Sequence, residues 1–320
     1  MARGKQLTRQ IEVEECNILQ AKEEFYKNNK AKGLSEQTQK GYISYIDSFA
    51  DWCGNDTLMS DINVKKLDEY LYSKSQTGVK DVTLATTMIH IRRFINFCIL
   101  REYMPKIVVT IPKYEITLKE PYDEDEIKLL LAKPSSDRWV EWRCWAMTSY
   151  MFSTGQRLST ILNIKIIDLD LDNAKVKLTW NKDKRQKYMP LSTATVKVLR
   201  EYISLSDLQE QDYLFPEYEG KQLKKRSAED SMTDYNHSRG VSKTGIHRWR
   251  HTFAKNYIIN GGNPVKLQKL LNHKTIEQTM KYVNLYSTDF ADDLDLFNPL
   301  DNFKRKNYIP MKRKKVMQEE

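Results

Sequence analysis

Near the end of the sequence, His247-Arg248-Trp249-Arg250-His251 is followed by Leu271-Asn272-His273 and then by Thr279-Met280-Lys281-Tyr282. Cations, imidazoles and a phenol recur here within a short span. An arginine with two histidines supplies donors suited to a phosphate. A tyrosine in the same pocket can attack the phosphorus and hold the product covalently. The substrate such a set implies is a nucleic-acid backbone. Further upstream, Arg157 follows Thr154-Gly155-Gln156, and Lys182 stands in a polar, basic run from Asn181 to Lys187.

These side chains need elements to aim them. From His247 the pattern is helical and closes at Gly261-Gly262, a C-cap pair. Asn263-Pro264 then reads as an N-cap with proline at the first helical position, and that helix is expected to end at His273. Thr275-Ile276-Glu277-Gln278 has capping-box form, which sets Tyr282 about two turns into a new helix, able to face the arginines. A helix over Trp139 to Ser153 ends at Thr154-Gly155, so Arg157 opens the next one, through Leu162. Asp168 to Trp180, with Val176, Leu178 and Trp180 alternating, and the return Tyr188 to Leu191 predict a β-hairpin with Lys182 near its tip. Glu217 to Thr244 is polar, with Lys224-Lys225-Arg226 and few apolar anchors, and reads as a mobile loop.

The first third of the chain has a different pattern. Residues 1–34 are rich in charge and read as an arm, with helical spacing from Ile11 to Tyr26 and a break at Lys32-Gly33. After Ser35, an N-cap, apolar residues recur at Tyr42, Tyr45, Ile46, Phe49 and Trp52 or Cys53, the spacing of an amphipathic helix that stops before Gly54-Asn55. Helices are also expected over Asp61–Tyr72 and Thr83–Arg101, and Asp123–Ala132 reads as helical beyond them. Pro105, Pro112 and Pro121 punctuate an extended stretch that suits a linker. The expected organisation is therefore an arm (1–34), a small helical domain (35–111), a linker (112–121), a domain carrying the chemistry (122–288) and a tail (289–320).

Composition supports a polyanionic partner. Lys and Arg number 52 against 43 Asp and Glu, a formal charge of +9, and such a balance attracts nucleic acid before specific contacts form. A 320-residue chain that is 40% hydrophobic has material for two packed cores, so disorder throughout is excluded. The four cysteines, Cys16, Cys53, Cys98 and Cys144, are scattered without a Cys-x-x-Cys pair and read as buried thiols in a reducing compartment. A polar N-terminus and the lack of an apolar run near the roughly 20 residues of a membrane span predict a cytoplasmic protein. With neither a P-loop nor an acidic metal cluster in the sequence, no cofactor and no metal is expected.

The chain resembles the tyrosine recombinases, the phage-integrase type of site-specific recombinase, over roughly Ser35 to Phe290. Four segments carry the likeness in the right order: Thr154-Gly155-Gln156-Arg157; the Lys182 hairpin; His247-x-x-Arg250-His251 with Thr252-Phe253-Ala254; and Leu270-Leu271-Asn272-His273 leading to Tyr282. The resemblance implies a mainly α fold with a small β-hairpin or sheet, an α+β catalytic domain and a helical DNA-binding domain closing as a C-shaped clamp on duplex DNA. It implies that Arg157 and Arg250 hold the scissile phosphate and that Lys182 protonates the leaving 5′-oxygen. His247 and His273 would support proton transfer and phosphate binding, and Tyr282 would be the nucleophile of a covalent 3′-phosphotyrosine intermediate. The implied partners are double-stranded DNA recombination sites and three further copies of the chain, a homotetramer on synapsed DNA that passes through a Holliday junction at the nucleoid. Phe290, Leu294, Leu296 and Phe297 would form a tail packed on a neighbouring protomer. Accessory DNA-bending or directionality factors stay open. The expected task is integration and excision of a mobile element, with replicon multimer resolution as the alternative.

Each role has a physical rationale. In-line attack concentrates negative charge on the nonbridging oxygens, where paired guanidinium groups stabilise the transition state more than the ground state. A phenol with an ordinary pKa near 10 needs cations and a base to attack at neutral pH. Competing readings keep their place. Tyr286, one turn from Tyr282, is the rival nucleophile, and Lys184 is the rival to Lys182. His247, His251 and His273 could hold zinc, although no His-Glu-x-x-His motif accompanies them. A type IB topoisomerase-like relaxing enzyme and a DNA-binding protein without activity share the motifs. Lys304-Arg305-Lys306 and Lys312-Arg313-Lys314-Lys315 read equally as solvated tail charge or as phosphate contacts. The sequence also departs from the family pattern at Thr160, where an acid is usual, at Asn272, where glycine is usual, and at Trp249, where leucine is more frequent.

Overall fold

The structure, a computed structural model, describes residues 15–115, 119–178 and 187–286. Lys182, Lys184 and the expected tail, with Phe290, Leu294, Leu296 and Phe297, lie outside them. The chain divides into two compact units, Met1–Thr117 and Leu118–Glu320.

In the first unit, α1 (Ile18–Ala31), α2 (Glu36–Cys53), α3 (Val64–Ser75) and α4 (Asp81–Leu100) enclose one core. Asn17 and Gln20 cap α1 reciprocally, and the Ser35 hydroxyl accepts from the Thr38 N–H at the start of α2. The sequence reading treated residues 1–34 as an arm, but α1 is a core helix. Ile18, Ala21 and Phe25, three and four apart, are fully buried, while the charged residues of α1, such as Glu23, Lys27 and Lys30, face away from them. Phe25 meets Phe94 and Phe97 of α4 edge-on, with ring centroids 5.7 and 5.3 Å away. α3 starts at Val64 instead of Asp61, because Met59–Asp61 forms a 3-10 turn and the Asn63 side chain then caps the helix.

The second unit is built on α6 (Trp139–Thr154) and α10 (His247–Ile259), which pack on each other. Around them lie α5 (Glu124–Leu131), α7 (Leu158–Ile161), α8 (Thr193–Ser206), α9 (Lys225–Ser238), α11 (Pro264–Leu271) and α12 (Glu277–Tyr286). A three-stranded antiparallel sheet in the order β1 (Leu169–Asp170), β2 (Lys175–Leu178), β3 (Lys187–Pro190) follows α7. The stretch from Asp168 to Leu178 is thus two strands, and Trp180 lies outside the described residues. Asp170 accepts from the Asn173 backbone and side chain, and Ala174 takes a positive φ of 48°, so the chain reverses before β2. Within β2, Val176 and Leu178 point into the core, and Val176 pairs with Met189.

The expected mobile loop from Glu217 to Thr244 is also corrected, because its middle is α9. Ala228, Met232 and Tyr235 are spaced four and three apart and buried, and the Tyr235 hydroxyl donates to the Leu130 carbonyl at 2.8 Å. Three apolar side chains among many charges suffice for a helix whose other faces stay in water. Among the described residues no helix is long and apolar enough to cross a membrane.

Candidate active site

Trp249 fixes the rotation of α10. It is 1% exposed and packs on Tyr122 and Phe152, with ring centroids 4.4 and 5.8 Å away. Thr252 of the same helix accepts from the Tyr122 N–H at 3.0 Å. Just before α10, the Lys243 ammonium lies 3.0, 3.4 and 3.5 Å from Glu126, Asp123 and Glu120, which ties that segment to the start of α5. With the helix so pinned, Arg250 and His251 enter one pocket and His247 stands at its rim.

Arg250 is buried, donating from Nη1 to the Gly155 carbonyl at 2.8 Å and from Nη2 to the Leu271 carbonyl at 2.6 Å. Among the described residues it makes no ion pair. Burial and then the charge of Arg157 push its pKa down to about 10, so it remains a cation at neutral pH. Arg157, the residue before α7, reaches the Asn272 carbonyl with both terminal nitrogens at 3.3 Å. Both guanidinium groups therefore converge on the turn from Leu271 to Asn272, held by neutral carbonyls. Arg250, a buried cation held among the described residues by backbone dipoles, is poised for an anion.

Two backbone positions make that convergence feasible. Gly155 ends α6 in the left-handed region at φ 60°, and a Cβ there would lie 2.4 Å from the Phe253 ring and 2.7 Å from Leu271. Asn272 ends α11 at φ 52° and ψ 51°, which explains why glycine is usual at this position and why asparagine, tolerant of the same region, can replace it. Thr160 is buried and lines the same pocket as Arg157 and Asn272. Gln156 ties the turn to the chain before it by donating to the Leu270 carbonyl at 2.9 Å.

Tyr282 sits on α12 with 4% exposure, and its hydroxyl is 2.8 Å from His251 Nδ1. Burial raises its pKa, Arg250 pulls it down, Tyr286 raises it and Arg157 pulls it down again. The phenol thus lies within the field of both arginines. His273 stacks parallel to the Tyr282 ring at 6.3 Å between centroids, and its Nδ1 is 2.7 Å from the buried Thr279 hydroxyl. Burial, followed by the charges of Arg250 and Arg157, lowers the His273 pKa to about 4. His251 is lowered to about 4 by burial and then by His247, Arg250, Arg248 and Lys119. Partial burial, followed by the charges of Lys225, Arg250 and Lys119, lowers His247.

The structure thus brings Arg157, Arg250, His273 and Tyr282 together with His247 nearby, whereas Lys182 lies outside the described residues. Tyr286, the rival phenol, ends α12 under the Lys255 ammonium, 5.8 Å from its ring. Burial and then Glu120 raise its pKa, with neither arginine among the causes. Among the described residues no three His, Cys, Asp or Glu side chains are placed to hold a metal ion. His251, expected only as part of the run from His247 to His251 and without a role of its own, contacts the Tyr282 hydroxyl. Its only sequence signal was its place in the His-Arg-Trp-Arg-His run, because the contact joins residues far apart in the chain.

Comparison with known proteins meets this geometry. The sequence profile of the phage integrase family matches residues 121–288. The chain is 25% identical over 279 residues to tyrosine recombinase XerD of Staphylococcus haemolyticus (strain JCSC1435), covering 84% of this chain and 94% of that one. It is 26% identical over 277 residues to tyrosine recombinase XerC of Vibrio parahaemolyticus serotype O3:K6, covering 84% and 89%. The fold is similar to a lambda integrase tetramer bound to a Holliday junction, with a TM-score of 0.70 at 17% identity over 91% of this chain and 84% of that one. It is also similar to the Tn1549 transposon integrase in complex with circular intermediate DNA, at 0.69 and 14% over 88% and 98%. With a family match that spans the arginine pocket and more than half of the sequence, the chain belongs to the phage integrase family and is a tyrosine site-specific recombinase.

Proposed function

We propose that this recombinase cuts and rejoins duplex DNA through a 3′-phosphotyrosine on Tyr282, with Arg157 and Arg250 bound to the nonbridging oxygens of the scissile phosphate. The observation that carries this reading is the buried Arg250, held among the described residues by two backbone carbonyls, with the Tyr282 phenol in its field. A phosphate entering the pocket supplies the missing anion. As the phenol oxygen bonds to phosphorus, the bond to the 5′-oxygen breaks and negative charge grows on oxygens that both guanidinium groups can meet. Lys182 donates the proton taken up by the departing 5′-oxygen, while His247 and His273 assist in binding the phosphate. The phosphotyrosine conserves the energy of the broken linkage, so a 5′-hydroxyl from a second strand reverses the step without nucleotide hydrolysis. Repeated on paired sites by four copies, the exchange passes through a Holliday junction.

The task we assign is integration and excision of a mobile element, a reading supported by fold similarity to lambda and Tn1549 integrases. Resolution of replicon multimers is the second reading, favoured by the similarity to XerC and XerD along most of the chain. The chemistry is tested with duplexes nicked beside candidate cleavage positions, so that attack is trapped on a denaturing gel. Wild type and Tyr286→Phe should form a covalent adduct in the presence of a chelator, and Tyr282→Phe should form none. Absence of an adduct from wild type on DNA that it binds overturns the reading.

A further inference from the structure

We propose that His251 is the base that takes the proton of Tyr282 during strand cleavage. The inference deepens the proposed function and rests on Tyr282 being the nucleophile. Two histidines, His251 and His273, face the phenol, a third stands nearby, and their geometry separates their roles. His251 Nδ1 is 2.8 Å from the phenol oxygen, with ring centroids 5.7 Å apart and planes at 44°. His273 instead lies parallel to the phenol ring, with centroids 6.3 Å apart, and directs its Nδ1 to Thr279. His247 lies one helical turn before His251 on α10, exposed at the rim. Only His251 has a ring nitrogen in hydrogen-bond contact with the atom that must lose its proton, the first geometric requirement for a general base.

Its place in the sequence gives this contact further meaning. His251 follows Arg250 directly, so one turn of α10 presents both a donor to the phosphate and an acceptor to the phenol. Burial and then the surrounding cations keep the imidazole neutral at pH 7, and with the ring hydrogen on Nε2 its Nδ1 is able to accept. In the step, the Tyr282 O–H bond breaks and its proton moves to Nδ1. The phenol oxygen bonds to phosphorus, the P–O5′ bond breaks, and the 5′-oxygen takes a proton from an ammonium group, assigned above to Lys182. On religation the departing phenol oxygen recovers its proton from the imidazolium, which returns His251 to the neutral form.

The experiment compares wild type, His251→Ala, His251→Asn and Lys182→Ala in single-turnover adduct formation on the nicked duplex. A second duplex carries sulfur at the scissile 5′-bridging position. Asparagine keeps an acceptor close to the position of Nδ1 without the basicity of imidazole, and thermal melts with binding isotherms show that each variant folds and holds DNA. We expect His251→Ala and His251→Asn to cleave ~10²–10⁴-fold more slowly than wild type. The thiolate leaving group needs no proton, so the sulfur duplex should restore Lys182→Ala and leave the His251 variants slow. Wild-type rates in His251→Asn, or rescue of the His251 variants by sulfur, overturn the proposal. If Tyr282→Phe still forms an adduct, the nucleophile assignment itself fails. If Tyr282→Phe is inert while both His251 variants cleave at the wild-type rate, only the role of His251 fails.

Discussion

The core of the first unit and the arginine pocket of the second solve opposite problems. In the first unit, Phe25, Phe49, Ile91, Phe94 and Ile95 fill the space between helices, and charges such as Lys22 and Asp47 pair at the surface, 2.7 Å apart. In the pocket, a cation is buried with no acid beside it among the described residues, two helix ends take left-handed backbone, and imidazoles are held neutral by burial and by nearby positive charges. The first arrangement minimises free energy in the absence of DNA. The second keeps interactions unsatisfied until a phosphate arrives, as expected where binding energy is reserved for the transition state. Stability and chemistry should therefore respond to mutation in opposite ways in the two regions.

The largest expected effect is Arg250→Met. Loss of a guanidinium from the phosphate should slow adduct formation ~10²–10³-fold or more, while removal of an unneutralised buried charge should leave the melting temperature unchanged or raised. Loss of folding together with activity would break the comparison. Next is Phe94→Ala in the first unit, expected to cost about 3–5 kcal/mol in chemical denaturation through the cavity it leaves. A value within 1 kcal/mol of zero would mean that this core is loosely packed.

Gly155→Ala comes third, because the new methyl meets Phe253 at 2.4 Å and the backbone must hold φ 60°. A loss of about 1–3 kcal/mol should accompany weaker DNA cleavage, since the Gly155 carbonyl holds Arg250. Asn272→Gly should be nearly neutral and Asn272→Ala should cost about 1 kcal/mol, both read by denaturant melts.

The last effect is a pH dependence. His251 is faced by His247, Arg248 and Arg250 on its own helix, by Lys119, and by His273 and Tyr282 across the pocket. His251 and His273 have folded-state pKa values near 4, below the ordinary histidine value. Between about 6.5 and 4 the unfolded chain therefore binds more protons than the folded one, and stability falls as pH falls through that window. His251→Asn should flatten the thermal-melt profile between pH 7 and 5. An unchanged slope would show that His251 does not contribute to it.

Much of the arrangement was legible because local rules governed it. Ser35 and Asn263 capped their helices, Gly155 closed α6, and Asn263-Pro264 started α11, all through contacts within a few residues. The motif order placed both arginines and Tyr282 in one pocket for the same reason: short helices with clear ends carry them. What was not legible depended on distant partners. α9 and α1 carry few apolar residues among many charges, so only the surfaces that cover Met232 and Phe25 identify them as core helices. The division of the long strand turned on Asp170 and Asn173, whose side-chain contacts create a turn within an otherwise strand-like pattern. His251 was hidden because its partner belongs to another helix, and nothing in its neighbours indicates which of three imidazoles meets the phenol.

The most direct test of the central claim is to locate the DNA link itself. Wild-type adduct on the nicked duplex would be digested with nuclease and protease, and the nucleotide-bearing peptide fragmented by mass spectrometry. The account predicts the added nucleotide phosphate on Tyr282. A phosphate on Tyr286, or on any residue outside the arginine pocket, would contradict it.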